Sequence, residues 1–593
     1  MKPVNLKTKC RRKLSGHAFH ENKLVDTIMR RRGVYAKSRM EYSLRNLEHF
    51  NTFKDIEKAS KLVADAIMSG GKIMVLADYD CDGATACATM IKSLRMLGAK
   101  HACYAIPDRF TMGYGTTPDF VDSIAHHKPD LVITVDNGIS SFDGIERIRE
   151  VLPNTKILVT DHHMASKDGS LPDADAIVNP NQQGCEFPSK AICGCGVAWY
   201  VGLATRAYMR EKGMFARLGI EEPNLATLID LVALGTVADV VPLDYNNRVI
   251  VDIGIKFIRE GFGCHGINSL IQIGGQKIEK VKSSDFAFSL GPRINSVGRL
   301  DNMRIGVLCL LAEDISNANM FAKELTSTNN IRKDIQKGMV DVARNMVEKL
   351  DDNRLSIVVH HPEFNEGVIG LTAARLKESY GVPTFVFATN EKGMLKASGR
   401  SVPGFHLFDA LNEIQQRHNE RNGITERKDM MFAGFGGHAM AAGLSLKPEY
   451  LDDFTELLDE VVRDHLKKPS DVIDTDGLVD AKLLTDNNVK ELLECSPFGQ
   501  HFPEPILETK ATIKGFSFSK NGRHLFYTLS DGERTIEAVA FNYKDREHLY
   551  NIPAINEEGT MADSEAHLVF RPDISEFRGQ ESFKMILESA KIC

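Results

Sequence analysis

The sequence predicts an α/β architecture: a parallel-sheet domain, a long connecting helix, a second α/β domain and a C-terminal β-barrel. Three observations carry this. Short apolar runs alternate with amphipathic stretches from residue 52 onward, the pattern of a parallel sheet flanked by helices. From about Asn317 to Leu350 there is no proline, and Ile331, Ile335, Met339, Val342 and Met346 recur at helical spacing, which makes one long helix between two domains. From about residue 505 the pattern becomes five short alternating strands. The expected divisions are 1–50, a basic segment; 51–310, the first α/β domain; 311–350, the helix; 351–465, the second α/β domain; and 466–593, the barrel.

Composition bounds the function. The chain has 593 residues, 43% hydrophobic and 26% charged, the make-up of a globular chain of about three to four domains. No apolar run approaches the ~20 residues of a membrane span. The stretch Met1 to Lys13 has no apolar core for a signal peptide, so a cytoplasmic location without a membrane partner is expected. Eleven scattered cysteines argue for reduced thiols rather than a disulfide framework. Cys193 and Cys195, with Cys185 nearby, lack a second ligand pair and read as packing residues. The net charge of −7 does not advertise nucleic-acid binding, yet residues 1–49 hold thirteen Lys/Arg against four Asp/Glu, including Arg30-Arg31-Arg32. That segment is either a phosphate-contacting arm or a solvated helix face.

In chain order, Phe53 to Ile67 keeps helical spacing and Gly70-Gly71 stops it. A strand, Ile73 to Ala77, then runs into Asp78, Asp80 and Asp82, with Gly83 breaking the extended geometry and a helix expected over Ala84 to Leu97. Three carboxylates so close repel unless a cation sits among them. An EF-hand loop would need Glu at its twelfth position, where Thr89 stands, and a helix before it; a solvated acidic turn is the other bland alternative. The strand His101 to Ile106 ends near Arg109, and Gly113-Tyr114-Gly115 makes a loop. A buried strand within Pro129 to Gly138 ends in Asp136 and Asn137, a helix covers Phe142 to Val151, and the next strand from Lys156 ends in Asp161-His162-His163. Three strands ending in metal-type ligands are hard to explain by packing, because each buried charge needs its own compensation. Asp239, embedded in the apolar helix-like run Leu228 to Leu243, joins them.

Gly291 to Asp301 reads as a Gly/Pro-bounded loop offering Arg293, Asn295, Ser296 and Arg299 to phosphate or sugar. In the second α/β domain, strands are expected at Ile357–Val359 and Thr384–Phe387, with a helix over Leu371–Tyr380 between them. Lys396 to Ser401 and Gly434 to His438 read as polar, glycine-rich loops carrying Arg400 and His438. In the barrel, Asn521-Gly522 and Asp531-Gly532 are hairpin signals; five strands suggest an OB-fold, with a β-sandwich fragment as the generic alternative. A loose loop is expected over 557–565.

Asp78-Tyr-Asp-Cys-Asp-Gly83, Val135-Asp-Asn-Gly138, Asp161-His-His163, Ala238-Asp239, Gly291-Pro-Arg-Ile-Asn295, Gly367-Val-Ile-Gly370, Ser398-Gly-Arg400 and Gly436-Gly-His438 form one ordered set. Together they resemble the DHH phosphoesterase superfamily, specifically RecJ-like single-strand-specific exonucleases. The resemblance implies a DHH domain, a connecting helix, a DHHA1 domain and an OB-fold. It implies two Mn²⁺ or Mg²⁺ ions and 5′→3′ degradation of single-stranded DNA to mononucleotides in repair, recombination and replication. It further implies Asp80, Asp82, Asp136, His162 and Asp239 as metal ligands, with Asp136 bridging. Asp78 and Asp161 would be close-in acids and His163 would face the scissile phosphate. Arg109, Ser398 and Arg400 would bind the 5′-phosphate, with Arg293, Asn295 and His438 along the strand. A monomer is expected, with a helicase or single-strand-binding protein as partner. Leu76 stands where many DHH phosphatases have a histidine, which lowers a pyrophosphatase reading. The rivals are an oligoribonuclease or cyclic-dinucleotide phosphodiesterase of the same superfamily, and a non-catalytic subunit of a replication complex.

Overall fold

The computed structural model describes residues 7–166, 168–349, 354–426, 429–466, 472–553, 563–577 and 580–593. Two compact units emerge. One comprises Met1–Ile294, Met303–Ala322 and Asp471–Cys593; the other comprises Asn295–Asn302 and Lys323–Ser470.

The first unit begins with β1 (Lys7–Cys10) and a helix, Lys23–Arg31, capped by Asn22. The main sheet contains β2 (Lys72–Ala77), β3 (His101–Ala105), β4 (Leu131–Val135), β5 (Lys156–Thr160) and β6 (Ala176–Val178). Their order is β3-β2-β4-β5-β6 and every pairing is parallel. The apolar runs form strands because both faces are covered: every residue of β4, and all but the first of β2 and β5, is buried. From β2 the chain crosses first to β3 on one side and later to β4 on the other. The carboxyl ends of β2 and β4 therefore form the topological switch point, where open α/β sheets bind ligands.

The second unit carries β7 (Ile357–His360), β8 (Thr384–Thr389), β9 (Leu395–Arg400), β10 (Phe432–Gly437) and β11 (Ala441–Leu446) in the order β10-β11-β9-β8-β7. Only β7 and β8 are parallel neighbours. The helix expected to link two domains is a single one, Ile315–Val347.

Back in the first unit, β12 (Val472–Thr475) pairs in parallel with β1. β13 (Leu507–Phe518), β14 (Leu525–Ser530), β15 (Thr535–Ala540), β16 (Ser564–Phe577) and β17 (Gln580–Ile592) close a barrel in the order β13-β14-β15-β17-β16.

Several expectations need correction. The helix after β2 is Cys81–Met96, so Asp82 and Gly83 lie inside its first turn and Gly83 does not break the chain. The stretch Gly291–Leu300 is helical, not a loop: it continues without a break from Ser283–Asp285 and the π-helical turn Phe286–Leu290, and Pro292 sits directly after that irregular turn, where a helix accommodates proline. Ser398 and Arg400 belong to β9, and Gly434 to Gly437 belong to β10; both stretches are strands. Arg31 and Arg32 are not a free arm, since both are bonded to the segment after β12. The loop expected over 557–565 lies for the most part outside the described residues, and Ser564 and Glu565 are in β16.

Candidate metal centre and phosphate-binding residues

Four segments bring acids and histidines to the carboxyl rim of the sheet. Register fixes the first pair: Ala77 is level with Val135, so Asp78 and Asp136 leave neighbouring strands side by side. Asp80 is the N-cap of the helix Cys81–Met96 and accepts from the Gly83 N–H at 2.9 Å. Asp82, in the first turn of that helix, accepts from the Gly194 and Cys195 N–H groups at 2.7 and 3.0 Å, at the start of the helix Gly194–Glu211. Those donors favour the carboxylate, yet burial, then Asp80, push its pKa up to about 7. Asp136 adopts φ 62°, a left-handed conformation uncommon outside glycine. Asp239 is the C-cap of the helix Ile229–Ala238.

His162 is the point of convergence. Its Nε2 lies 3.2 Å from Asp136 Oδ1, 3.5 Å from Asp239 Oδ2 and 4.0 Å from Asp82 Oδ2. Burial first, and His163 second, pull its pKa down to about 4, which keeps the ring neutral and able to ligate. Asp78, Asp136 and Asp239 are all raised well above the carboxylate range, by burial first and by neighbouring acids next. Asp161 behaves oppositely. Burial opposes its charge, but His163 Nδ1 at 2.7 Å and the N–H groups of Ile139, His162 and His163 hold it below its usual value. Burial likewise opposes the charge on His163, and the Asp161 hydrogen bond overcomes it, lifting His163 to about 9.

Potential ligand atoms group as Asp78, Asp80 and Asp136; as Asp82, His162 and Asp239; and as Asp136, His162 and His163, each set within 4.8 Å. Asp78 Oδ1, Asp136 Oδ1 and His162 Nε2 are buried without a hydrogen-bond partner among the described residues. Buried acceptors of this kind need a cation. Two glycines make room: a Cβ on Gly194 would lie 2.4 Å from Asp136 Oδ1, and one on Gly235 would lie 2.6 Å from Asp82 Oδ1. An oxygen-rich set with one imidazole fits Mn²⁺ or Mg²⁺. Cys193 and Cys195 instead face Thr236 and Thr89, as packing residues do.

Arg109 stacks over Tyr79, 5.0 Å from the ring centroid. Arg293 donates Nη1 to the Leu270 carbonyl at 3.0 Å. In the second unit, Ser398 and Arg400 share the half-exposed face of β9, and Arg400 Nη1 donates to Ser398 Oγ at 2.9 Å. Burial lowers the Arg400 pKa. His438 is exposed just beyond β10, and Asn295 lies in the helix Gly291–Leu300.

Sequence reasoning missed several contributors. The Tyr114 hydroxyl is 3.1 Å from His163 Nε2, although its stretch reads only as a loop. Asn179 and Asn181 donate to the carbonyls of His163 and His162 at 3.0 and 2.6 Å, pinning that turn. They follow β6 in the same apolar-then-polar pattern, but three residues are too short a run to register as a strand.

A parallel sheet whose switch point gathers five acids around a neutral histidine defines a metal-dependent phosphoesterase. The comparisons agree. The DHH family N-terminal domain matches residues 72–236, the DHHA1 domain 352–464 and the RecJ OB domain 475–589. The single-stranded-DNA-specific exonuclease RecJ of Dickeya dadantii is 36% identical over 99% of both chains, and that of Escherichia coli is 37% identical over 95% of both. RecJ of Thermus thermophilus solved with Mn²⁺ superposes with a TM-score of 0.78 at 24% identity, covering all of this chain and 80% of that one. An exonuclease RecJ bound to manganese gives a TM-score of 0.55 at 28% identity over 71% of this chain and 96% of that one. The chain belongs to the RecJ family. No described helix is long and apolar enough to cross a membrane.

Proposed function

We infer that this protein is a metal-dependent exonuclease that hydrolyses single-stranded DNA from its 5′ end and releases 5′-mononucleotides. The observation that carries the reading is the convergence of Asp82, Asp136 and Asp239 on His162 Nε2. Asp80, Asp82, Asp136, His162 and Asp239 would hold two Mn²⁺ or Mg²⁺ ions, with Asp136 between them and Asp78 close enough to share the load. Bound ions of this kind supply hydroxide near neutral pH and clamp phosphoryl oxygens. Asp161 orients His163 and keeps it cationic, so that it faces the phosphate as a donor. Arg109 in the first unit, and Ser398 with Arg400 in the second, would each be a contact for the 5′-phosphate, and Arg293, Asn295 and His438 would be contacts for the strand. Arg293 enters this list with one donor already committed to Leu270. The closed barrel fits a single-strand-binding role.

The decisive assay uses end-labelled single-stranded DNA and RNA of each polarity with Mn²⁺, Mg²⁺ or EDTA. Mononucleotide release from the 5′ end of DNA, abolished by EDTA, is expected. Release from the 3′ end, or activity confined to short RNA or cyclic dinucleotides, would sink the reading.

A further inference from the structure

Away from the metal rim, the N-terminal segment builds a second polar cavity. β1 runs beside β12 with Lys9 level with Asp474. A cavity of about 320 Å³ opens there, lined by Lys9, Arg11, Arg12, Arg31, Arg32 and Asp474 among others. That volume lies within the range of ligand pockets.

Charge in this cavity does not balance. Asp476 is spent on Arg32, with Nε to Oδ1 at 3.0 Å and Nη2 to Oδ2 at 2.7 Å, and Arg11 Nε lies 3.9 Å from it. Arg31 gives Nη1 to the Asp476 carbonyl at 2.6 Å. Among the described residues Asp474 is the one carboxylate on the wall, against five cations. Among the described residues neither Lys9 nor Arg12 has an ion-pair partner, and both are exposed. The Nε–H groups of Arg11 and Arg31 are buried without an acceptor. Buried donors left unpaired are costly, and crowded like charges repel, unless an anion completes them. Forked guanidinium donors match phosphate.

We propose that this cavity is a phosphate-group site. It shares no residue with the metal rim. Its ligand is either a backbone phosphate of a bound strand or the phosphate of a free mononucleotide. The binding free energy comes from neutralising Lys9 and Arg12, the exposed cations of the wall that have no ion-pair partner among the described residues.

The test uses the full chain in EDTA, so that cleavage and metal binding do not enter and failure is separable from failure of the exonuclease reading. Wild type is compared with Lys9→Ala/Arg12→Ala and with the charge-keeping Lys9→Arg/Arg12→Lys. Melting temperature is followed with inorganic phosphate or dTMP against chloride of equal ionic strength. Fluorescence anisotropy follows oligo(dT) binding across a salt series. Wild type and the charge-keeping variant should gain melting temperature from phosphate, and the alanine variant should not. If the strand is the source, the alanine variant also binds oligo(dT) several-fold more weakly, and its salt slope falls by about 1–2. A full slope with the phosphate response lost identifies the free mononucleotide. An alanine variant that keeps both the phosphate response and the full slope overturns the proposal.

Discussion

Asp136 concentrates the conflict on which the metal rim is built. It is buried, its backbone is in the left-handed region, Gly194 approaches its carboxylate, and four other acids raise its pKa after burial does. A carboxyl group whose pKa is raised in the folded state binds its proton more tightly folded than unfolded. It therefore stabilises at low pH, and that contribution is lost as pH rises through the folded value. In EDTA, Asp136→Asn should melt above wild type by roughly 2–4 °C per kcal/mol of repulsion relieved, and the gap should widen as pH rises from about 4 towards neutrality. Mn²⁺ should then stabilise wild type by mass action, by about 2.7 kcal/mol at a hundredfold excess over Kd. The variant should lose that gain together with cleavage. A variant that melts with wild type in EDTA at every pH would remove the repulsion argument. At this scale the sequence was highly legible. Acids and histidines after strands are visible as residue types, whereas Tyr114, Asn179 and Asn181 act through a hydroxyl and amides that carry no such signal.

Helices decide how closely those acids can gather. The helix Ile229–Ala238 packs on Cys81–Met96 with Gly235 at the crossing, where a Cβ would fall 2.5 Å from Thr85 Oγ1 and 2.6 Å from Asp82 Oδ1. Gly235→Ala must push one helix outward or displace Asp82, and Asp239 at the helix end moves with it. Overpacking of this kind costs about 1–3 kcal/mol. The expected outcome is a lower melting temperature and a weaker Mn²⁺-induced rise, read by thermal denaturation with and without metal. An unchanged metal response would show that the two helices do not set the position of Asp82. Elements were less legible than residues where glycine and proline misled. Gly291-Pro292 reads as punctuation, yet it lies inside one continuous helical run, directly after the π-helical turn Phe286–Leu290 that accommodates the proline. Ser398-Gly399-Arg400 reads as a glycine loop, yet Gly399 lies in β9, where a Cβ would strike the Phe385 ring at 2.4 Å. In both cases a glycine demanded by close packing has the same appearance in sequence as one demanded by a turn.

At the scale of the whole molecule, distant parts of the chain meet within one unit, as no local pattern could announce. β1 pairs with β12, and Glu508 on β13 accepts from Thr8 Oγ1 at 2.9 Å and lies 3.0 Å from His567 Nε2 on β16. The basic N-terminal run is consumed here rather than waving free. Arg32 grips Asp476 with two hydrogen bonds, donates to the Pro503 carbonyl at 2.6 Å and lies over the Phe502 ring, 5.1 Å from its centroid. Asp476 in turn accepts from the Ile506 N–H at 3.0 Å, next to the start of β13. The ion pair is almost fully buried, with side chains 4% and 0% exposed. Removing one partner of such a pair leaves the other charge without compensation, at a cost of about 3–5 kcal/mol. Asp476→Ala strands Arg32 and also removes the nearest carboxylate from Arg11. The urea midpoint of the unit that holds the barrel, which is also the unit of Asp136, His162 and Asp239, should fall accordingly. An Asp476→Ala protein that unfolds within about 1 kcal/mol of wild type would mean that the tie between β1 and β12 rests on the strand pairing rather than on the buried charge.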